Sequence, residues 1–185
     1  MSNYRRANIK GAAYFFTVVT ERRQSILTND DVRQALRDAI LKVRESHPFT
    51  IDAWVLLPDH LHCIWTLPEG DADFSTRWRL IKREVTVAIG AKYFREDFLT
   101  ERRKKKQQGT IWQHRFWEHL IRDESDFSTH MDYLHFNPVK HCLTKTLNEW
   151  PWSSFHRLVQ QGIYPLNWGE ADSVHLNLHS RTIIN

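Results

Sequence analysis

The chain has little material for disulfides, membrane spans or fibres. Only two cysteines, Cys63 and Cys142, occur in 185 residues, too few for a disulfide framework and in keeping with a reducing compartment. The longest apolar run, Ala12 to Val19, is far short of the roughly 20 residues that cross a bilayer. The start, Met1-Ser2-Asn3-Tyr4-Arg5-Arg6, runs into Lys10 without the apolar core of a secretory signal. No internal repeat is visible. These shortages exclude secreted, membrane-spanning and fibrous classes, and leave a cytoplasmic globular protein. Its length suits one domain, taken as 1–168, with a C-terminal tail, 169–185, expected to be flexible. Such a domain buries roughly 70% of its unfolded surface and needs no covalent staple.

What is abundant leans toward a polyanionic partner. Lysine and arginine number 26 against 22 acidic residues, a net charge of +4, and the pI is near 9.2. Eight Trp, five Tyr and ten Phe are more aromatic surface than one core requires. Aromatics interleaved with cations suit stacking on unpaired bases while the cations follow phosphates. An aromatic-rich core inside a basic, solvated shell explains the same composition.

Local pattern orders the elements. Ala13 to Thr20, AYFFTVVT, reads as a strand. Asn29-Asp30-Asp31 starts a helix to about Glu45, with the apolar stripe Val32, Leu36, Ile40 and Val43. Phe49 to Leu57 and His60 to Leu67 read as a hairpin about the Pro58-Asp59 turn. After the polar loop Gly70 to Asp73, Ser75 or Thr76 starts a second helix to about Ala91. Residues 95–109, REDFLTERRKKKQQG, read as a solvated, mobile loop or a phosphate-contacting arm. Phe116 to Ile121 is a strand, and Asp123 to Ser125 caps a third helix expected to end near Asn137, before Pro138. The remainder, with Trp150-Pro151-Trp152, reads as a lid or tail. This order implies an α+β, ferredoxin-like sandwich: a mostly antiparallel sheet with helices on one face.

Two elements carry chemistry. In His60-Leu61-His62 the strand period projects both imidazoles to one face, a metal half-site, while Leu61 and Cys63 face the other. With 11 His in 185 residues, about 0.6 such pairs arise by chance, so the pair alone decides nothing. On the third helix, Phe127, Met131 and Leu134 form an apolar stripe, and His130, Tyr133 and Asn137 form a second one beside it.

Taken in order, LPDHLHCIW, RFWEH, DYLHFNPVKH and WPWSSFH resemble the single-tyrosine transposases of the HUH nuclease superfamily, most of all the REP-associated tyrosine transposases. The resemblance spans roughly residues 4–168, and the polar insertion at 95–109 departs from that family's compact pattern. It implies that His60 and His62 bind a divalent ion, Mg²⁺ or Mn²⁺, that Asn137 completes the metal site, and that Tyr133 is the nucleophile. It implies cleavage of single-stranded DNA at REP palindromes, hairpins with a flanking tetranucleotide, through a 5′-phosphotyrosine that a 3′-OH later resolves. The residue chemistry agrees: a phenol needs activation near neutral pH, and a metal would stabilise charge during in-line displacement. Insertion-sequence relatives pair as dimers, whereas this branch looks monomeric, and the sequence leaves a monomer or a dimer open.

Arg5, Arg6, Lys10, Arg77, Arg79, Lys82, Arg83 and Lys140 are candidate DNA contacts, with Trp117, Phe136 and Trp152 for base stacking. Glu118, His119 and His130 are candidates to orient a metal histidine. Two other readings fit the same residues: a binding module that grips structured nucleic acid without cutting, and a metal-dependent hydrolase that forms no covalent link.

Overall fold

Alternation along the first strand sets the architecture. The computed structural model describes residues 7–106 and 108–169. In β1 (Ala13–Val19), Tyr14, Phe16 and Val18 enter one core and Phe15 enters another on the opposite face. Then follow α1 (Asp30–Ser46), β2 (Thr50–Leu56), β3 (His60–Thr66), α2 (Phe74–Tyr93), α3 (Glu101–Lys105), β4 (Trp117–Leu120), α4 (Glu124–Lys140) and α5 (Phe155–Gln160). The four strands form one antiparallel sheet in the order β2-β3-β1-β4. That is the expected α+β ferredoxin-like arrangement.

The helices, however, cover both faces, which corrects the one-face expectation. α1 and α2 pack on the face bearing Tyr14, Phe16, Leu61, Cys63 and Trp65. The stripe Val32, Leu36, Ile40, Val43 is buried as expected, and Trp65 stacks flat on Trp78 of α2 at 4.1 Å. Each fully buried side chain of this size contributes about 1.5–3 kcal/mol. The reverse face is also apolar, through Phe15, Ala53, Val55 and Ile64, and α4 covers it with Leu134. A sheet apolar on both faces needs a layer on each.

Four local expectations change. α2 starts earlier, because the Asp73 carboxylate accepts from the Thr76 amide at 2.9 Å and caps the first turn. Residues 95–109 are not a bare loop: Phe98 is buried beneath the guanidinium groups of Arg22 and Arg95, and α3 is tied down by Arg103, which pairs with Glu21. α4 runs through Pro138 to Lys140. Proline removes only one helical donor, and the last half-turn holds through His141 N–H to the Asn137 carbonyl at 2.9 Å.

The segment after α4 is not a lid. Leu147, Phe155, Leu158 and Tyr164 form a third core against Phe136 and Val139 of α4. Residues 150–154 also run along β2: Trp54 exchanges hydrogen bonds with Ser154, and the Leu56 amide donates to the Trp152 carbonyl at 2.8 Å. Of the expected flexible tail, only Gly169 lies within the described residues. No described helix is long and apolar enough to cross a membrane.

Candidate active site

The β2–β3 turn and the register of β3 against β1 build the centre of the site. His62 lies opposite Thr17 on β1, and both His60 and His62 face α4. They are buried, at 5% and 2% exposure, with ring centroids 5.0 Å apart. Each Nδ1 is already engaged. His60 Nδ1 donates to the Asp59 carboxylate at 2.6 Å, and His62 Nδ1 hydrogen-bonds the Thr17 hydroxyl at 2.8 Å. The rings are thereby held through Nδ1, with Nε2 the remaining ring nitrogen of each, the arrangement metal-binding histidines adopt.

Electrostatics maintain that state. Burial alone would raise the Asp59 carboxyl, but hydrogen bonds from His60 and Arg23 hold it at about 2. Burial pushes His62 well down, helped by His60, His141 and Lys140, with the Asn137 carboxamide working the other way. His62 is therefore a neutral imidazole, the form a metal requires.

α4 brings the remaining groups. The Tyr133 ring lies 5.5 Å from that of His62 and 6.0 Å from Phe15, and the Lys140 ammonium sits 4.6 Å from the Tyr133 ring centroid. Asn137 is fully buried. Its Nδ2 donates to the Tyr133 carbonyl at 2.6 Å, while its Oδ1 has no hydrogen-bond partner. An unpartnered buried oxygen beside two oriented imidazoles, His62 held neutral by its burial, fits a divalent cation. His141, past the helix end, places its ring 5.1 Å from His60.

A second group lies on the same sheet face. His119, Asp126 and His130 hold their ligand atoms within 4.8 Å of one another and could hold a metal. As it stands the group is a hydrogen-bonded tie. His119 Nε2 and the Arg122 amide and Nε donate to Asp126, and His130 Nδ1 donates to the Asp126 backbone carbonyl at 2.8 Å.

The other candidates from sequence divide. His60, His62, Tyr133 and Asn137 converge, with Lys140 beside them. Arg77 is corrected as a DNA contact: it is 1% exposed and its guanidinium is used on Asp71 and the carbonyls of His47, Pro48 and Asp73. Lys10, Arg79 and Arg83 are exposed, and Lys82 is half-buried, donating to the Gln113 carbonyl. Arg5 and Arg6 lie outside the described residues. Trp117, half-buried, stacks on His119; Phe136 and Trp152 are also half-buried against the cores.

Glu118 is corrected as an orienting residue. It pairs with Phe16 in the register and acts on Tyr14, which places it on the face away from His60 and His62. His119 and His130 bind Asp126, and Phe15 stands between His130 and His62. The orienting partners are instead Thr17 and Asp59, which sequence reasoning missed together with His141. Asp59 adjoins the histidine pair and was open to inference; Thr17 needed the strand register.

A ferredoxin-like sheet with two oriented histidines facing a helical tyrosine is the arrangement that the resemblance to single-tyrosine transposases leads one to expect. Residues 8–137 match the family described as "Transposase IS200 like", and the chain belongs to that family. It is 50% identical over 169 residues to the REP-associated tyrosine transposase of Escherichia coli (strain K12), covering 91% of each chain. A putative REP-associated tyrosine transposase of Haemophilus influenzae (strain ATCC 51907 / DSM 11121 / KW20 / Rd) is 42% identical over 169 residues, covering 91% of this chain and 94% of that one. Among solved structures, a REP-associated tyrosine transposase bound to a REP hairpin matches over 100% of both chains, with a TM-score of 0.78 and 48% identity.

Proposed function

We propose that this chain is a metal-dependent single-stranded DNA endonuclease and strand transferase acting on REP-type hairpins with a flanking tetranucleotide. Tyr133 is the nucleophile. His60, His62 and Asn137 hold Mg²⁺ or Mn²⁺, which when bound supplies electrophilic activation of the scissile phosphate. The Tyr133 hydroxyl gives up its proton as its oxygen bonds to phosphorus, the bond to the 3′ oxygen breaks, and that oxygen takes up a proton and leaves as a 3′-OH. The 5′ phosphate remains on the tyrosine. Attack by a 3′-OH reverses the step and rejoins strands without ATP, because the ester energy is conserved.

Thr17 and Asp59 keep the imidazoles in register, and Lys140 stands where a phosphate beside Tyr133 would meet a cation. The unit that acts is residues 1–168, a monomer working on DNA in the cytoplasm. The observation carrying this reading is the convergence of the two Nδ1-anchored histidines, the unpartnered Asn137 oxygen and Tyr133 on one sheet face.

The test is a denaturing gel of the protein with end-labelled hairpin DNA and Mn²⁺, beside Tyr133→Phe. A covalent band with the wild type alone is expected. Cleavage without a band, or a band with the phenylalanine variant, refutes the assignment. His60→Ala removes metal-dependent cleavage if the metal assignment holds.

A further inference from the structure

The insertion at 95–109 lies outside that chemistry, yet it builds one wall of a cationic cleft. A cavity of about 570 Å³ lies between α2 and the chain leading into β4. Arg79, Lys82 and Arg83 line it from α2, Arg103 from α3, and Arg115 from the segment before β4. A second cavity of about 400 Å³ continues from it, sharing Arg103, His114 and Arg115 and adding Arg102.

The charge here is largely uncompensated. Glu21 is taken by Arg103. Among the described residues, Arg79, Arg83, Arg102 and Arg115 form no ion pair, and all four are exposed. His114 responds to this field: burial, then Lys106, Lys82, Arg115 and Arg102, push its titration down. The walls are nonetheless fixed. Arg103 donates to the Gly109 carbonyl at 2.6 Å, and Lys82 to that of Gln113 at 3.0 Å. Phe116, half-buried, adds an aromatic ring to the lining.

We infer that this cleft is a second DNA site, taking the phosphates of an unpaired strand flanking the hairpin. It rests on the proposed function for the identity of its ligand. Convergent arginines and a nearby ring are the chemistry that grips single strands: cations on phosphates, a base against the ring. α2 packs on the sheet face turned away from His60, His62 and Tyr133. The nucleotides held here are therefore not those at the scissile phosphate, and the path between the two sites rounds an edge of the sheet.

The experiment compares wild type with the double variant Arg83→Ala/Arg115→Ala by fluorescence anisotropy, using hairpin DNA with and without its single-stranded flanks. Each phosphate contact on a single strand contributes about −0.7 to the slope of log K against log salt. Losing two reduces the slope by about 1.4 and the affinity about 25-fold at 0.1 M salt. That loss is expected on flanked hairpin and not on the trimmed one, and Arg83→Lys/Arg115→Lys should restore most of it. Equal affinity of variant and wild type for flanked DNA overturns the inference, as does an equal loss on trimmed DNA. The outcome is separable from the adduct test. A Tyr133 adduct with an unaffected double variant refutes the cleft alone, and flank-dependent loss without any adduct refutes the proposed chemistry alone.

Discussion

Replacing Asp59 by Asn tests whether the histidine pair is held from behind. The carboxylate accepts from His60 Nδ1 at 2.6 Å and from Arg23 at 2.9 Å, with its side chain 20% exposed. Its lowering from 3.8 to about 2 corresponds to about 2 kcal/mol of native-state stabilisation. Asparagine keeps one neutral hydrogen bond, about 1 kcal/mol, so the net loss at pH 7 is about 1 kcal/mol. For a chain of this size that lowers Tm by roughly 2–4 °C. The sign gives a further check. A depressed carboxylate stabilises fully above its unfolded value and progressively less as pH falls toward 2, so the gap between the proteins narrows below pH 3.8. With His60 no longer pinned by a charge, Mn²⁺ affinity should fall 10- to 100-fold, roughly the cost of losing such an orienting group. Calorimetric titration with Mn²⁺ and thermal unfolding of the same samples read both effects. Undiminished Mn²⁺ affinity in a variant that shows the stability loss would refute the claim that Asp59 orients a metal-binding His60.

Three other outcomes follow from geometry. Glu118→Gln should leave Mn²⁺ affinity within about twofold, since Glu118 lies on the opposite sheet face, and a loss approaching that of an orienting residue would contradict the register. Arg77→Met should cost about 3 kcal/mol in urea denaturation because it strands three backbone carbonyls; a cost under about 1 kcal/mol would show that these bonds are replaceable. His135 is held neutral, burial lowering it to about 3, so its contribution is complete above its unfolded 6.5 and declines as pH falls. Between pH 7 and 5.5 that loss is about 1 kcal/mol, and His135→Gln should flatten the stability profile over that range by that amount.

The elements were legible where pattern and chemistry coincide. The α1 stripe, the hairpin and the shared face of His60 and His62 follow from periods of 3.6 and 2. The order of the strands also sufficed for the ferredoxin-like sheet. The second helical layer was hidden because Phe15, Val55 and Ile64 sit in runs apolar on both parities, where alternation gives no direction. Arg77 was misplaced for a related reason: in sequence it belongs to a charged helix face, and only the return of His47 and Pro48 beneath α2 shows what it binds. Thr17 and His62 are 45 residues apart, so their bond exists only once β1 and β3 are aligned. Pro138 signalled a stop that came three residues later, since the helix end had other bonds to close on.

The chain that runs beside β2 has a further consequence, for association. An outer strand with open amides and carbonyls is a template onto which another chain can add. Here Trp54 and Leu56 have given those groups to Ser154, Trp152 and the Trp150 indole. The sheet therefore has one sealed border and one four-residue border at β4. Strand-by-strand growth, whether into a paired assembly or an aggregate, is blocked on the first side and offered only a short template on the second. A cut at Ser154 would reopen the longer border, so the residues that finish the fold also keep it from being extended.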